Sequence, residues 1–145
     1  MFNINFPGLF PSKLSLTHNP TIWVNGCFDI LHAGHIDMIK YAKSLGQRLI
    51  VGLDTDERVK TNKGDSRPIN PLALRIKVME SIRYVDHVVS FGSDDELIAC
   101  IRESHADAIV VGEEYKGHVI GADIVDNVVF YPRKYDLSTT SIISK

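Results

Sequence analysis

The sequence predicts an α/β fold in which helices cover both faces of a mostly parallel, five-stranded sheet, the doubly wound arrangement. Two observations predict it. Five short runs rich in β-branched residues recur along the chain, and the segments between several of them carry helical periodicity or helix caps. With 145 residues the chain is long enough to enclose a core as one domain. We expect that domain to span residues 21–145, after an irregular lead-in over residues 1–20.

The first half of the chain supplies two strands and a helix. The β-branched and aromatic run "TIWVN", residues 21–25, ends at a glycine and predicts a buried strand. A helix should begin near Gly34 and stop at Gly46, because Ile36, Ile39, Ala42 and Leu45 fall on one side of it. Residues 48–53 predict the second strand. The polar residues 54–70 predict a long surface loop, and loops of that length are usually functional or disordered.

The second half continues the alternation. Pro71 suits the first position of a helix that runs to about Ile82. Ser93 and Asp94 can cap a later helix, and Ser138 can cap a short final one. Three further strands are expected at residues 87–91, 107–112 and 127–131.

Composition excludes several classes of function. Sixteen basic residues against eighteen acidic residues leave a net charge of -2, so we expect no nucleic-acid partner and no membrane-binding face. No stretch approaches the ~20 apolar residues of a membrane span, and we expect the lead-in not to be an export signal. Cys27 and Cys100 form no C-x-x-C pair, and we expect reduced thiols in a cytoplasmic protein.

The segment "GCFDILHAGH", residues 26–35, leaves the first strand at its carboxyl end and enters the first helix. In doubly wound sheets, ligands bind beyond the carboxyl ends of the strands, where the strand order reverses. Gly26 permits a sharp turn, and Gly34 lets a ligand approach the helix N-terminus, which attracts anions. His32 and His35, one turn apart, can both face such an anion. The pattern therefore favours phosphoryl or nucleotidyl transfer.

Two other interpretations of the histidines stay open at this point. A metal site using Cys27, His32 and His35 is conceivable, although the sequence shows no fourth ligand and we expect no resident metal. The histidines can also serve simply to cap backbone groups.

Four motifs occur together: "GCFDILHAGH", "KGDSRPINPLALR" at residues 63–75, "VVGEEYKG" at 110–117 and "STTSII" at 138–143. With them the chain resembles the H-x-G-H nucleotidyltransferases, a superfamily with a Rossmann-like fold. It is most similar to the adenylyltransferase domain of the heptose-1-phosphate enzymes of ADP-heptose synthesis. Through "IRYVD" and "YPRKYDLSTT" it is also similar to glycerol-3-phosphate cytidylyltransferase.

The resemblance implies a reaction and its participants. A phosphate oxygen of a phosphorylated sugar or polyol attacks the α-phosphorus of a nucleoside triphosphate bound with Mg²⁺, and pyrophosphate leaves. It also implies a homodimer. We expect ATP with heptose 1-phosphate, with CTP and glycerol 3-phosphate as the alternative. A non-catalytic nucleotide-binding module is an alternative of another class.

The resemblance also implies roles for individual residues. His32, His35 and Lys63 would be catalytic. Substrate would be bound by four further residues, Asp54, Asp56, Arg67 and Arg75. The nucleotide would be bound by Gly26, Cys27, Phe28, Asp29, Gly34, Gly112, Glu113, Glu114, Arg133, Ser138, Thr139 and Thr140.

Taken without the resemblance, several of these residues have structural interpretations. Asp29, Asp54 and Asp56 are also typical turn or cap residues. Lys63 and Arg75 are also typical of solvated surfaces, and Ser138 of a plain N-cap.

Overall fold

The computed structural model describes residues 19–132 and 142–143. In this part of the chain five parallel strands form one sheet in the order β3-β2-β1-β4-β5. They are β1 (Thr21–Gly26), β2 (Arg48–Asp54), β3 (His87–Phe91), β4 (Ala108–Gly112) and β5 (Asn127–Tyr131). The predicted doubly wound α/β fold is confirmed, and each strand lies within one residue of its predicted bounds.

Four helices lie between the strands: α1 (Ala33–Ser44), α2 (Asp56–Lys63), α3 (Leu72–Glu80) and α4 (Asp94–Ser104). Ser93 caps α4 as predicted, its side chain accepting a hydrogen bond from the N–H of Glu96. Pro71 is the N-cap of α3 rather than its first helical residue, and that helix ends at Glu80, before Ile82. No helix in the described part of the chain is long and apolar enough to cross a membrane.

The prediction of a continuous surface loop over residues 54–70 is wrong, because α2 occupies much of it. Thr55 caps this helix by accepting a hydrogen bond from the N–H of Arg58, and Asp56 and Glu57 favour its positive N-terminus. Val59 is the residue that α2 buries. A helix with so little apolar surface has no helical periodicity for sequence analysis to detect.

The core has two layers, one on each face of the sheet. On one face α1 and α3 bury Ile39, Ala42 and Met79 against the strands. On the other face α4 packs with Trp23 and Phe91. All of the side chains named here are at most 1% exposed. Burial on both faces explains why the inner strands β1, β2 and β4 carry consecutive apolar residues without alternation.

Gly52, in the middle of β2, makes room for the indole of Trp23. A Cβ at this glycine would lie 2.6 Å from Cζ2 of Trp23 and 3.0 Å from Cε1 of Phe91. The absence of a side chain therefore lets the largest core residue lie across the neighbouring strand.

The strand order reverses between β1 and β4, which are neighbours in the sheet although two strands separate them in the chain. From β1 the chain proceeds outward to β2 and β3, and it returns to the other side for β4 and β5. At such a point the loops leaving two adjacent strands diverge to opposite faces and open a crevice.

Candidate active site

A cavity of about 540 Å³ opens at the carboxyl ends of the strands, beside the point where the order reverses. It brings together nine of the residues that the sequence suggested. They are Gly26, Phe28, His32, Gly34, His35, Asp54, Lys63, Gly112 and Glu114. They come from the ends of β1, β2 and β4 and from the helices α1 and α2, over nearly ninety residues of chain.

The two histidines are held by reciprocal hydrogen bonds at the N-terminus of α1. Nδ1 of His32 accepts from the N–H of Gly34 at 3.1 Å, and Nδ1 of His35 accepts from the N–H of His32 at 3.3 Å. Their rings stack with centroids 3.7 Å apart and planes 21° from parallel. Because each Nδ1 accepts, the neutral ring carries its proton on Nε2. The histidines therefore cap the backbone through Nδ1, and His35 offers Nε2–H as a donor.

His35 is neutral at physiological pH. Burial, and then the charge of His32, lower the pKa of His35 to about 4. Phe28, held in a left-handed backbone conformation with φ +48°, meets the ring of His35 edge-on at 5.1 Å between centroids. Because His35 is neutral and lies in an apolar setting, the hydrogen bond that it donates can strengthen as negative charge develops on a ligand.

Among the described residues, no three His, Cys, Asp or Glu side chains are grouped as metal ligands. Cys27 does not line the cavity. Its carbonyl accepts a hydrogen bond from Nη1 of Arg75 at 3.0 Å, and burial raises the pKa of its thiol.

The predicted role of Asp29 as a nucleotide ligand stays a prediction, and the structure gives this residue a structural role as well. Its carboxylate is fully buried and accepts from Nε of Arg67 at 2.9 Å and from the N–H groups of Ile69 and Asn70, both at 2.8 Å. Burial by itself would raise the pKa of Asp29, but these hydrogen bonds outweigh it and lower the pKa below its ordinary value. Asp29 thus connects the turn after β1 to residues 67–70, which agrees with its interpretation as a turn residue.

The predicted contact of Arg67 with substrate stays a prediction too. Its side chain is 8% exposed, it pairs with Asp29, and it does not line the cavity.

Arg75, predicted as a phosphate ligand, is 2% exposed and joins three segments. Its guanidinium donates to the carbonyls of Asn70, Cys27 and Asp54 at 2.8 to 3.0 Å, and Nη2 pairs with the Asp56 carboxylate at 2.7 Å. These contacts engage the guanidinium within the protein, and its contact with a phosphate stays a prediction. A buried arginine that satisfies several loop carbonyls has a structural role.

Asp56, predicted to bind substrate hydroxyls, also lies away from the cavity. The oxygen that pairs with Arg75 also accepts from the N–H of Leu72 at 2.9 Å, the first residue of α3. Asp56 therefore caps the N-terminus of α3 from a different part of the chain, by accepting from one of its free N–H groups.

The wall formed by β2 and α2 carries Asp54, Arg58, Asn62 and Lys63. Asp54 accepts from Nε of Arg58 at 3.1 Å. Burial raises the pKa of Asp54, although the nearby cations Arg58, Arg75 and Lys63 oppose this effect. Sequence analysis missed Arg58. Its four-residue spacing from Asp54 could have indicated the pair, but only with the knowledge that α2 is a helix.

The opposite wall follows β4. Gly112 and Glu114 line it, whereas Glu113 does not. A Cβ at Gly112 would overlap the Glu114 carboxylate, so the glycine lets Glu114 fold back over the strand end. Sequence analysis missed Tyr115 and His118 on this wall. Tyr115 lies within the "VVGEEYKG" motif, in a short 3-10 turn, Glu113–Tyr115, that sequence periodicity does not reveal.

Four predicted nucleotide ligands, Arg133, Ser138, Thr139 and Thr140, lie outside the described residues, as does the predicted cap of a final helix at Ser138.

Comparison with known proteins identifies the family to which this geometry belongs. The model of the family described as cytidylyltransferase-like matches residues 23–145. The chain belongs to this family. The crevice at the strand reversal and the paired histidines therefore lie in a nucleotidyltransferase domain.

Curated relatives include two bifunctional HldE proteins. That of Campylobacter concisus is 43% identical over 125 residues, which cover 86% of this chain and 26% of the relative. That of Nitratiruptor sp. is 43% identical over 127 residues, which cover 86% of this chain and 27% of the relative. The chain thus spans about a quarter of the length of these relatives.

Solved structures agree on the fold. The lipopolysaccharide core biosynthesis protein of Thermoplasma volcanium is 26% identical and superimposes with a TM-score of 0.65, over 81% of this chain and 98% of that one. The pantoate-beta-alanine ligase of Francisella tularensis, solved with beta-gamma ATP and beta-alanine, has a TM-score of 0.58. Its alignment covers 91% of this chain and 71% of that one, and at 17% identity it shows the fold alone.

Proposed function

We propose that this domain transfers a nucleoside monophosphate from a nucleoside triphosphate to a sugar phosphate and releases pyrophosphate. The observation that carries the proposal is the pair His32 and His35, fixed by mutual capping at the start of α1 and lining the cavity. Two imidazole rings beside a positive helix end, with His35 neutral, suit a phosphate whose charge increases during reaction.

In the proposed reaction a phosphate oxygen of the acceptor forms a bond to the α-phosphorus. The bond from that phosphorus to the bridging oxygen breaks, and its electron pair leaves with pyrophosphate. His35 and His32 donate from Nε2 to the oxygens of the α-phosphate, where negative charge is redistributed in the transition state. Because the rings are already stacked and capped, they need not reorganise as the reaction proceeds.

Lys63 is the last residue of α2 and lines the cavity, where its ammonium suits the leaving pyrophosphate. We propose that Mg²⁺ enters as part of the substrate, bound to the triphosphate. Magnesium held in this way takes most of its ligands from phosphates and water, with one or two carboxylates. Asp37 and Glu114 line the cavity, and either carboxylate fits this arrangement.

We propose ATP and heptose 1-phosphate, or a similar sugar 1-phosphate, as the substrates. Similarity to the HldE proteins and to the lipopolysaccharide core biosynthesis protein supports this choice. The resemblance of residues 63–71 to the heptose branch supports it too, although Arg67 within that stretch bonds Asp29 instead of lining the cavity. A homodimer is part of the proposal, and half-exposed Leu74 and Val78 on α3 are apolar surface that a partner can cover.

A matrix of triphosphates against phosphorylated acceptors, followed by pyrophosphate release, tests the function. We expect ATP with heptose 1-phosphate to give the highest kcat/KM. A preference of tenfold or more for CTP with glycerol 3-phosphate, about 1.4 kcal/mol in the transition state, contradicts the substrate assignment. Nucleotide binding without pyrophosphate release from any pair contradicts the proposed activity and favours a binding module. Light scattering in solution tests the homodimer.

A further inference from the structure

The α2 wall of the cavity carries a charge network with no part in the chemistry described above. Nε of Arg58 donates to Oδ1 of Asp54 at 3.1 Å, and Nη2 donates to Oδ1 of Asp94 at 2.8 Å. The same guanidinium lies over the ring of Phe91, 5.3 Å from its centroid. One side chain of α2 therefore connects the last residue of β2 with the first residue of α4.

This network is well shielded where it meets the cavity. The side chains of Arg58 and Asp54 are 17% and 16% exposed, whereas that of Asp94 is 64% exposed. A shielded charge pair holds its geometry better than a surface ion pair, and the second hydrogen bond of the guanidinium, to Asp94, restricts Arg58 further. In the described part of the chain the hydrogen bond to Asp54 falls on Oδ1, which leaves Oδ2 to accept one from a ligand.

We infer that Arg58 is a positioning residue that orients Asp54 to accept a hydrogen bond from a hydroxyl of the sugar phosphate. The inference rests on the proposed function and deepens it. A carboxylate repels phosphates and accepts from hydroxyl groups, so the α2 wall suits the sugar while the histidine wall suits the phosphates. A buried acceptor of this kind discriminates strongly against substrates that lack the matching hydroxyl.

Charges around Asp54 make the inference testable by pH. Burial raises the pKa of Asp54, and Arg58 is the leading influence that opposes the rise. Removal of Arg58 should raise that pKa further, so more of the carboxyl is protonated at a given acidic pH and the acceptor is bound less well. The other charged or titratable groups that act on Asp54, or on which it acts, are Lys63, Arg75, Cys27 and Tyr115.

The experiment compares Arg58→Met, Asp54→Asn and the double variant with wild type, using ATP, heptose 1-phosphate and pyrophosphate release. Arg83→Met is the matched control, because Arg83 is exposed and pairs with neighbouring Tyr84. We expect the KM for heptose 1-phosphate to rise about tenfold in both single variants, with the KM for ATP nearly unchanged. The KM of the double variant for heptose 1-phosphate should be no higher than that of Asp54→Asn, because both substitutions remove the same interaction.

Two further readouts separate positioning from a structural role. The acidic limb of kcat/KM for the acceptor should move to higher pH in Arg58→Met, and Arg58→Lys should recover part of the acceptor KM. If both KM values rise together and Tm falls, without a shift of the acidic limb, the inference is overturned while the proposed function stands. A wild type that releases pyrophosphate with no acceptor overturns the proposed function and, with it, the inference.

Discussion

Replacement of Asp29 by alanine should destabilise the whole domain. The carboxylate is buried and accepts three hydrogen bonds, from Arg67, Ile69 and Asn70. The alanine variant leaves two N–H groups and one guanidinium without this acceptor. Breaking a buried ion pair on one side costs about 3–5 kcal/mol, and each abandoned neutral donor costs about 1–3 kcal/mol.

Water can reach part of the space, because Ile69 beside it is half-exposed. We therefore expect a total loss of about 3–5 kcal/mol in the free energy of unfolding. Domains of this kind are stable by about 5–15 kcal/mol, so the loss is large but leaves a measurable transition. Urea denaturation followed by Trp23, the one tryptophan of the chain and fully buried, measures it directly.

The pH dependence gives an independent test. Because the pKa of Asp29 is lowered in the folded state, its contribution is fully present above the unfolded value of about 3.9 and is lost as pH falls through the folded pKa. The stability difference between wild type and Asp29→Asn should therefore shrink below about pH 4. Asp65→Ala, at an exposed position in the same segment, is the control and should change stability by less than about 0.5 kcal/mol. An Asp29→Ala protein as stable as this control refutes the reasoning.

Three other predictions follow from the cavity and the core. His35→Ala should lower kcat roughly hundredfold while nucleotide affinity changes far less. Because the pKa of His35 in the free protein is about 4, this residue should impose no pH dependence on kcat/KM above about pH 6. A variant with near-normal kcat contradicts its role. Gly52→Ala should cost about 2–3 kcal/mol, seen in urea titrations, because its Cβ would meet the Trp23 indole. Trypsin cleavage after Lys63, followed by mass spectrometry, should slow with ATP and Mg²⁺, whereas an unchanged rate would show that Lys63 does not close over the nucleotide.

Much of the frame could be predicted from the sequence, because its signals are local. The β-branched runs at Thr21–Gly26 and Ala108–Gly112 and the cap at Ser93 act over a few neighbouring residues, and each appears in the structure as predicted. The histidine motif could also be recognised from the sequence. His32 and His35 lie one turn apart, so the position of the helix start brings them together.

Helix α2 could not be predicted, because the signal of a helix is usually its buried stripe and this one buries little besides Val59. The charged residues show a different limit. Asp29, Arg67, Arg75 and Asp56 have the chemistry of phosphate and hydroxyl ligands. Sequence analysis assigned Asp29 to the nucleotide and the other three to substrate.

The tertiary structure buried Asp29, Arg67 and Arg75 and gave all four residues partners within the protein. Asp29 meets Arg67 across 38 positions of chain, and Arg75 meets the carbonyl of Cys27 across 48. Loops that leave a parallel sheet must satisfy buried carbonyls and N–H groups, and only folding decides which charged side chains do so. The sequence by itself determined which groups are capable of binding a phosphorylated ligand. Which of them remain available to do so depends on the partners that the fold places opposite each one.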